Sequence, residues 1–306
     1  MRRALIETLS FLVISAGCLV AQGQPPLKAL IVDGQNNHSH WPDTTKMMQD
    51  YLEQTKLFSV EVARTANEGT DETFHPKFQE FDVVVSNYNG AAWPVDTQKD
   101  FEEYVSGGGG LVVVHAADNA FPEWPEYNRM IGLGGWGGRN ESNGPLVYFD
   151  ADGKLVRDTS PRAGGSHGSQ HAFAVTIRDP EHPITKGMPG QWMHANDELY
   201  DSLRGPGEEM KVLATAFSSS KQGGSERHEP MILVVQFGKG RVFHTPMGHG
   251  NDSQECVGFI ATFQRGSEWA ATGKVTQAIP ADFPTVDKPA SRKFDAFDAP
   301  SSGEKK

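Results

Sequence analysis

The chain has 306 residues, of which 37% are apolar and 22% charged. That is enough for one large domain with a real core, and too ordinary a composition for global disorder. Its formal charge of −11 and the lack of a basic stripe argue against nucleic acid as a partner, because a phosphate-backbone footprint needs clustered Lys and Arg; a neutral or cationic small ligand fits better.

Arg2 and Arg3 precede an apolar segment from Ala4 to Val20, and Ala21-Gln22-Gly23 supplies the small residues that signal peptidase requires. Residues 1–23 therefore read as a secretory signal, and the protein as exported to a periplasmic or extracellular compartment. Lipoprotein anchoring at Cys18 is the weaker alternative, since Ser15 stands where an aliphatic residue is usual. Loss of the leader would leave Cys256 alone, so no internal disulfide is expected. No second apolar run is long enough to span a bilayer.

The folded domain is expected over residues 24–272. Leu27 to Val32 reads as an apolar strand that ends in Asp33-Gly34 and a polar loop from Gln35 to Trp41. A helix follows, with Asp43 or Thr44 as its cap and Met47, Met48, Tyr51 and Leu52 on its buried stripe. Further strands are expected at Phe58 to Ala63 and Phe81 to Asn87, then a helix from about Asp96 to Ser106. Gly107 to Gly110 turns into the strand Leu111 to Val114, an apolar run without alternation, as in a strand buried on both faces. This spacing of strands and helices predicts a doubly wound, mostly parallel α/β sheet. Phe121 to Ile131 reads as a short helix. Gly132 to Gln170 is a long glycine-rich insertion suited to a lid or pocket wall. Strands at Ala172 to Ile177 and Val212 to Ala216, a hairpin of Met231 to Phe237 with Arg241 to Thr245, and a closing helix over residues 251–272 complete the domain. Residues 273–306 read as a largely irregular tail with little core to bury.

Ligands of open α/β sheets bind at the carboxyl ends of the strands. His115, Asp118 and Asn119 follow a central strand there, His38 and His40 follow the first, and His249 the last. Any one of these could equally be a satisfied structural histidine. The turn after Val114 holds neither Cys nor Ser, which excludes a nucleophile elbow. Asp33-Gly34-Gln35-Asn36-Asn37 lacks the glycines of a dinucleotide loop. General acid–base chemistry remains, with His115, Asp197, Glu198 and His249 as the candidate catalytic residues. Asp197-Glu198 could instead be a helix start. No organic cofactor is expected. Compact metal-ligand spacing is missing, His38-x-His40 being the nearest thing, although ligands converging from separate strand ends leave a divalent metal open. Trp41, Trp93 and Trp124, with Asn36, Asn37, Asn89, Asn119 and the loop residues Gly34, His38 and His40, suit an uncharged polyol: rings pack on C–H faces and amides satisfy hydroxyls. A small-molecule carbohydrate is thus the expected ligand, although some of these aromatic residues could simply cover the edge of the core.

Taken together, Asp33-Gly34-Gln35-Asn36-Asn37-His38, Trp41, Thr44-Thr45, Gly108 to Ala116, Asp197-Glu198-Leu199-Tyr200 and Gly238 to His249 resemble the ThuA-like (trehalose utilisation) family, over roughly Leu27 to Trp269. The resemblance implies a class I glutamine amidotransferase-like, flavodoxin-like fold with His115-Ala116 where the amidotransferase cysteine would stand. It also implies a link to the breakdown of trehalose-like disaccharides, by way of 3-keto sugars supplied by a partner sugar dehydrogenase. The family spacing has one residue between the loop histidine and Trp41, whereas Ser39-His40 makes two, so either His38 or His40 could fill that position.

Overall fold

The structure, a computed structural model, describes residues 25–294; the expected leader and Cys18 lie outside the described residues. In chain order the first part comprises β1 (Leu27–Asp33), α1 (Trp41–Gln54), β2 (Phe58–Arg64), β3 (Val83–Ser86), α2 (Val95–Gly107), β4 (Gly110–Val114) and α3 (Pro125–Ile131). The insertion carries β5 (Leu146–Phe149), β6 (Leu155–Asp158) and β7 (Ser166–His167). Then come β8 (His171–Ile177), β9 (Gln191–Asp197), β10 (Tyr200–Asp201), β11 (Met210–Ser218), β12 (Arg227–Phe237), β13 (Gly240–Thr245), α4 (Asn251–Gln254) and α5 (Val257–Thr272).

The main sheet has the order β2-β1-β3-β4-β13-β12-β11-β8-β9. From β2 to β13 it is parallel and flanked by helices, the α/β arrangement expected from the strand–helix alternation. From β13 to β9 it continues antiparallel. β3 and β4 are fully buried, which explains their unbroken valine runs: helices cover both faces, so neither side needs polar residues. Met47, Met48, Tyr51 and Leu52 of α1 sit in one core layer, while Phe78, Trp93 and Phe101 sit in the other.

The antiparallel half returns to α5 through β9, and three glycines let α5 lie close against β9, β13 and β4. A Cβ on Gly258 would stand 2.2 Å from the Trp192 ring of β9. One on Gly266 would meet the Phe243 ring of β13 at 2.4 Å, and one on Gly110 the Ala270 backbone at 2.7 Å. Because β9 runs in the same direction as β13, its carboxyl end reaches the same edge as the ends of the parallel strands.

Four details differ from the sequence reading. α1 begins at Trp41 behind His40, with Pro42 and Asp43 inside the first turn, so neither Asp43 nor Thr44 is its cap. Asp197 ends a strand and starts no helix. The closing helix is two helices, broken where Cys256 turns extended and bridges Ser291. As far as Phe294 the tail is irregular but packed: the Val257 N–H donates to the Ala290 carbonyl at 2.8 Å, Phe283 lies 5.4 Å from the Trp192 ring and Phe294 lies 6.5 Å from Tyr51. No helix among the described residues is long and apolar enough to cross a membrane.

Candidate active site

Five strand ends meet along one edge. The segment after β1 brings Asn36, Asn37 and His38, that after β3 brings Asn87 and Asn89, β4 is followed by His115 and Asn119, β9 by Glu198, and β13 by Gly248 and His249. The turn from β4 is abrupt: His115 adopts the left-handed φ of +48°, which an L-residue holds only where its surroundings fix it. What fixes it is the His115 Nδ1–H, which donates to the Pro246 carbonyl at 2.7 Å. Nε2 is thereby aimed at Glu198 Oε2, 3.7 Å away, with no hydrogen-bond partner of its own.

Glu198 is the hub. His249 Nε2 lies 3.2 Å from its Oε1, His167 Nε2 3.9 Å from its Oε2, and the Gln170 side-chain amide donates to Oε1 at 3.4 Å. Burial works against its charge, but His115, His249 and His167 outweigh burial and hold its pKa down to about 2. Burial likewise opposes protonation of His115, but Glu198 and then Asp197 reverse the balance and raise it. His38 goes the other way: burial, with the neighbouring His115 and His249, pushes it down to about 3. His249 is lowered chiefly by burial. The site thus sets a charge-favouring imidazole against neutral ones at one carboxylate, the separation that acid–base chemistry uses.

Asp197 lies beneath this cluster, fully buried. Its Oδ2 accepts from Gly248 N–H and His194 Nε2, both at 2.8 Å; its Oδ1 accepts from Glu198 N–H at 2.9 Å and His249 N–H at 3.0 Å. Burial resists its charge, yet His194 and these N–H donors keep its pKa below the ordinary value. Asp197 therefore positions Glu198 and His249, and its own oxygens are occupied.

A cavity of about 430 Å³, within the usual range for a small-ligand site, opens above. Asn37, His38, Asn89, Asn119, Phe121, Trp136, His167, Glu198 and Tyr200 line it. The glycine-rich insertion forms part of its wall, as expected, but is not structureless. β7 pairs with β10, which carries His167 to the Tyr200 ring at 6.0 Å, and Trp136 lies 4.6 Å from Tyr200. Two fully buried arginines brace it. Arg139 donates to the Asn119, Ala120 and Gly135 carbonyls, and Arg204 to those of Gly144, Ser160 and Arg162.

The other expected ligand residues fall in different places. Asn36 shapes the loop, accepting from His38 N–H at 2.9 Å. Gly34 has φ +125°, and a Cβ there would meet Thr65 Oγ1 at 2.4 Å, so it serves the turn. His40 is exposed in a neighbouring groove, with its ring 6.2 Å from His249, so it is His38 that enters the site. Trp41 is capped by Arg64 at 4.9 Å and borders a narrow cleft beside His38 and an open groove shared with Asn36, Asn37 and Asn89, but not the cavity above Glu198. Trp93 and Trp124 do not reach the cavity. Both are core residues in the aromatic layer behind Phe121, and the Trp124 Nε1–H donates to Glu102 at 2.6 Å. Their indoles are too large and apolar to leave outside a core already rich in Phe and Tyr. His167, Gln170 and Tyr200 join the site without a sequence signal that marks them as site residues. Tyr200 lay in a noted motif, but the two-residue strands that position it and His167 leave no periodic signal. As for metal binding, His38, Glu198 and His249 each offer one donor atom, all within 4.8 Å of one another.

Fold and site define an α/β protein of the class I glutamine amidotransferase-like type, with a histidine–carboxylate cluster at the switch from β4. The family model described as ThuA, trehalose utilisation, matches residues 28–270, and the chain belongs to that family. A solved ThuA-like protein from Parabacteroides merdae is 47% identical with a TM-score of 0.85, the match covering 88% of this chain and 98% of that one. A second, from Bacteroides uniformis, shares the fold at 18% identity and a TM-score of 0.56, covering 85% of this chain and 97% of its own. A search of curated proteins gave no match.

Proposed function

We propose that the protein is an exported enzyme that acts on a trehalose-like disaccharide or its 3-keto derivative, with His115 moving the proton. The observation that carries this reading is the His115–Glu198 pair, in which Glu198 lines the cavity and His115 lies buried directly behind it. The tautomer of His115 is set by Pro246, and its Nε2 faces the Glu198 carboxylate beside an amide- and aromatic-lined space. Asn37, Asn89 and Asn119 suit hydroxyls, while Trp136, Phe121 and Tyr200 offer ring faces to a pyranose. A ring ketone acidifies the neighbouring C–H bonds, and an ionised Glu198 beside a charge-favouring His115 offers an acceptor for that proton and a donor for a departing oxygen. The proposal of export rests on the leader-like composition of residues 1–23, and that of a keto sugar supplied by a partner dehydrogenase on the family resemblance alone.

Purified protein incubated with trehalose and with 3-keto-trehalose, followed by NMR and by calorimetric titration, tests the proposal. Conversion of at least one sugar is expected. Saturable binding without product would make the protein a sugar-binding module on this fold; neither binding nor conversion would refute the carbohydrate reading.

A further inference from the structure

We propose that His38, Glu198 and His249 together hold one divalent first-row transition-metal ion beside the cavity, which His38 and Glu198 line and His249 approaches from the adjoining cleft. Two imidazoles and one carboxylate form a mixed nitrogen–oxygen donor set that suits zinc, manganese or iron rather than calcium or magnesium, which prefer all-oxygen shells. The three arrive from separate strand ends, so no local spacing betrays them, yet their donor atoms lie within 4.8 Å of one another. His249 Nε2 and Glu198 Oε1 are 3.2 Å apart, close to the roughly 3.3 Å that separates two ligands on a tetrahedral zinc with bonds of about 2.0 Å.

Two further features point to an ion. His115, only 3% exposed, aims an unpartnered Nε2 at Glu198, so a buried polar atom faces the cluster with nothing to bond. The backbone at all three ligands is also fixed by side-chain acceptors, which limits how far the donor atoms can move apart. Asp197 accepts the backbone N–H groups of both Glu198 and His249, and Asn36 accepts that of His38. The inference rests on the cavity being the working site. It assigns the ion the polarising of a substrate oxygen and leaves His115 to move the proton.

The test uses full-length protein stripped with a chelator and titrated separately with Zn²⁺ and Mn²⁺ by calorimetry, with metal content measured by elemental analysis. One equivalent per chain is expected for at least one ion. Glu198→Gln and His249→Gln should each weaken binding at least 100-fold, while His40→Gln, the nearest histidine outside the cluster, should bind as wild type. Circular dichroism would check that each variant is folded. No stoichiometric binding, or binding unchanged in both cluster variants, would overturn the proposal. An ion that binds as expected in a protein that neither binds nor converts the sugars would support the metal site and refute the carbohydrate reading. Full-rate turnover by stripped protein would overturn the role given to the ion.

Discussion

His115 shows how far a single position could be read from sequence. A polar stop after an unbroken valine strand marks a strand end in the crevice, and the structure puts the residue there, at φ +48° and locked to Pro246. Asp197 was legible as important but not in its role, because four donors converging on one carboxylate come from segments up to 52 positions apart. Since Asn could not accept at both atoms, Asp197→Asn should lower stability by about 3 kcal/mol in denaturant unfolding, as expected for breaking a buried charged network. A variant as stable as the wild type would contradict the positioning role. His182 provides a pH test away from the site. Its Nδ1 accepts the Ile184 N–H at 3.3 Å and its ring packs on Trp269. Burial lowers its pKa from 6.5 to about 4, against Asp179 and aided by Lys211. A base held below its unfolded value contributes stability above pH 6.5 and loses it as pH falls towards 4. Unfolding measured at the two ends of that window should show a smaller acid loss for His182→Gln than for the wild type; identical losses would refute this.

At the scale of elements, the parallel half was readable because valine runs, glycine turns and amphipathic helices are local patterns. β9 was not. Its sequence, Gln191 to Asp197, mixes Trp, His and Asn, because one face packs on α5 while its end serves the site. The tryptophans were misplaced for a related reason: an indole beside a loop looks like a ligand platform, and only packing reveals that Trp93 and Trp124 back Phe121 instead. The contact between β9 and α5 is tight enough to test. Gly258→Ala would press a Cβ to 2.2 Å from the buried Trp192 ring. About 2 kcal/mol of destabilisation is expected in thermal unfolding, the usual cost of overpacking. Gly190→Ala, whose Cβ would meet nothing within 4 Å, should be close to neutral. Equal melting temperatures for the two variants would show that the sheet does not close on α5 as described.

For the molecule as a whole, the segment after α5 matters more than its composition suggests. Pro- and Lys-rich sequence normally signals a solvated tail, yet Phe283 and Phe294 cover Trp192 and Tyr51, and Arg265 donates to the Pro183, Ile184 and Lys186 carbonyls beside it. Truncation after Gly273 should therefore expose core and cost several kcal/mol in denaturant unfolding, because buried aromatic area is lost without replacement. A truncated chain with unchanged stability would return this segment to the status of a solvated tail. The convergence of five strand ends, which makes the site, is also a property of the whole fold: it depends on the curl that returns β9 to the edge shared by β1, β3, β4 and β13.

The proposed chemistry turns on His115 moving a proton for a bound sugar. Its most direct test is the turnover of 3-keto-trehalose by wild type and by His115→Ala, each saturated with substrate and verified as folded. A fall in kcat of about 100-fold or more is expected, with little change in sugar binding. Equal turnover by the two proteins would contradict it.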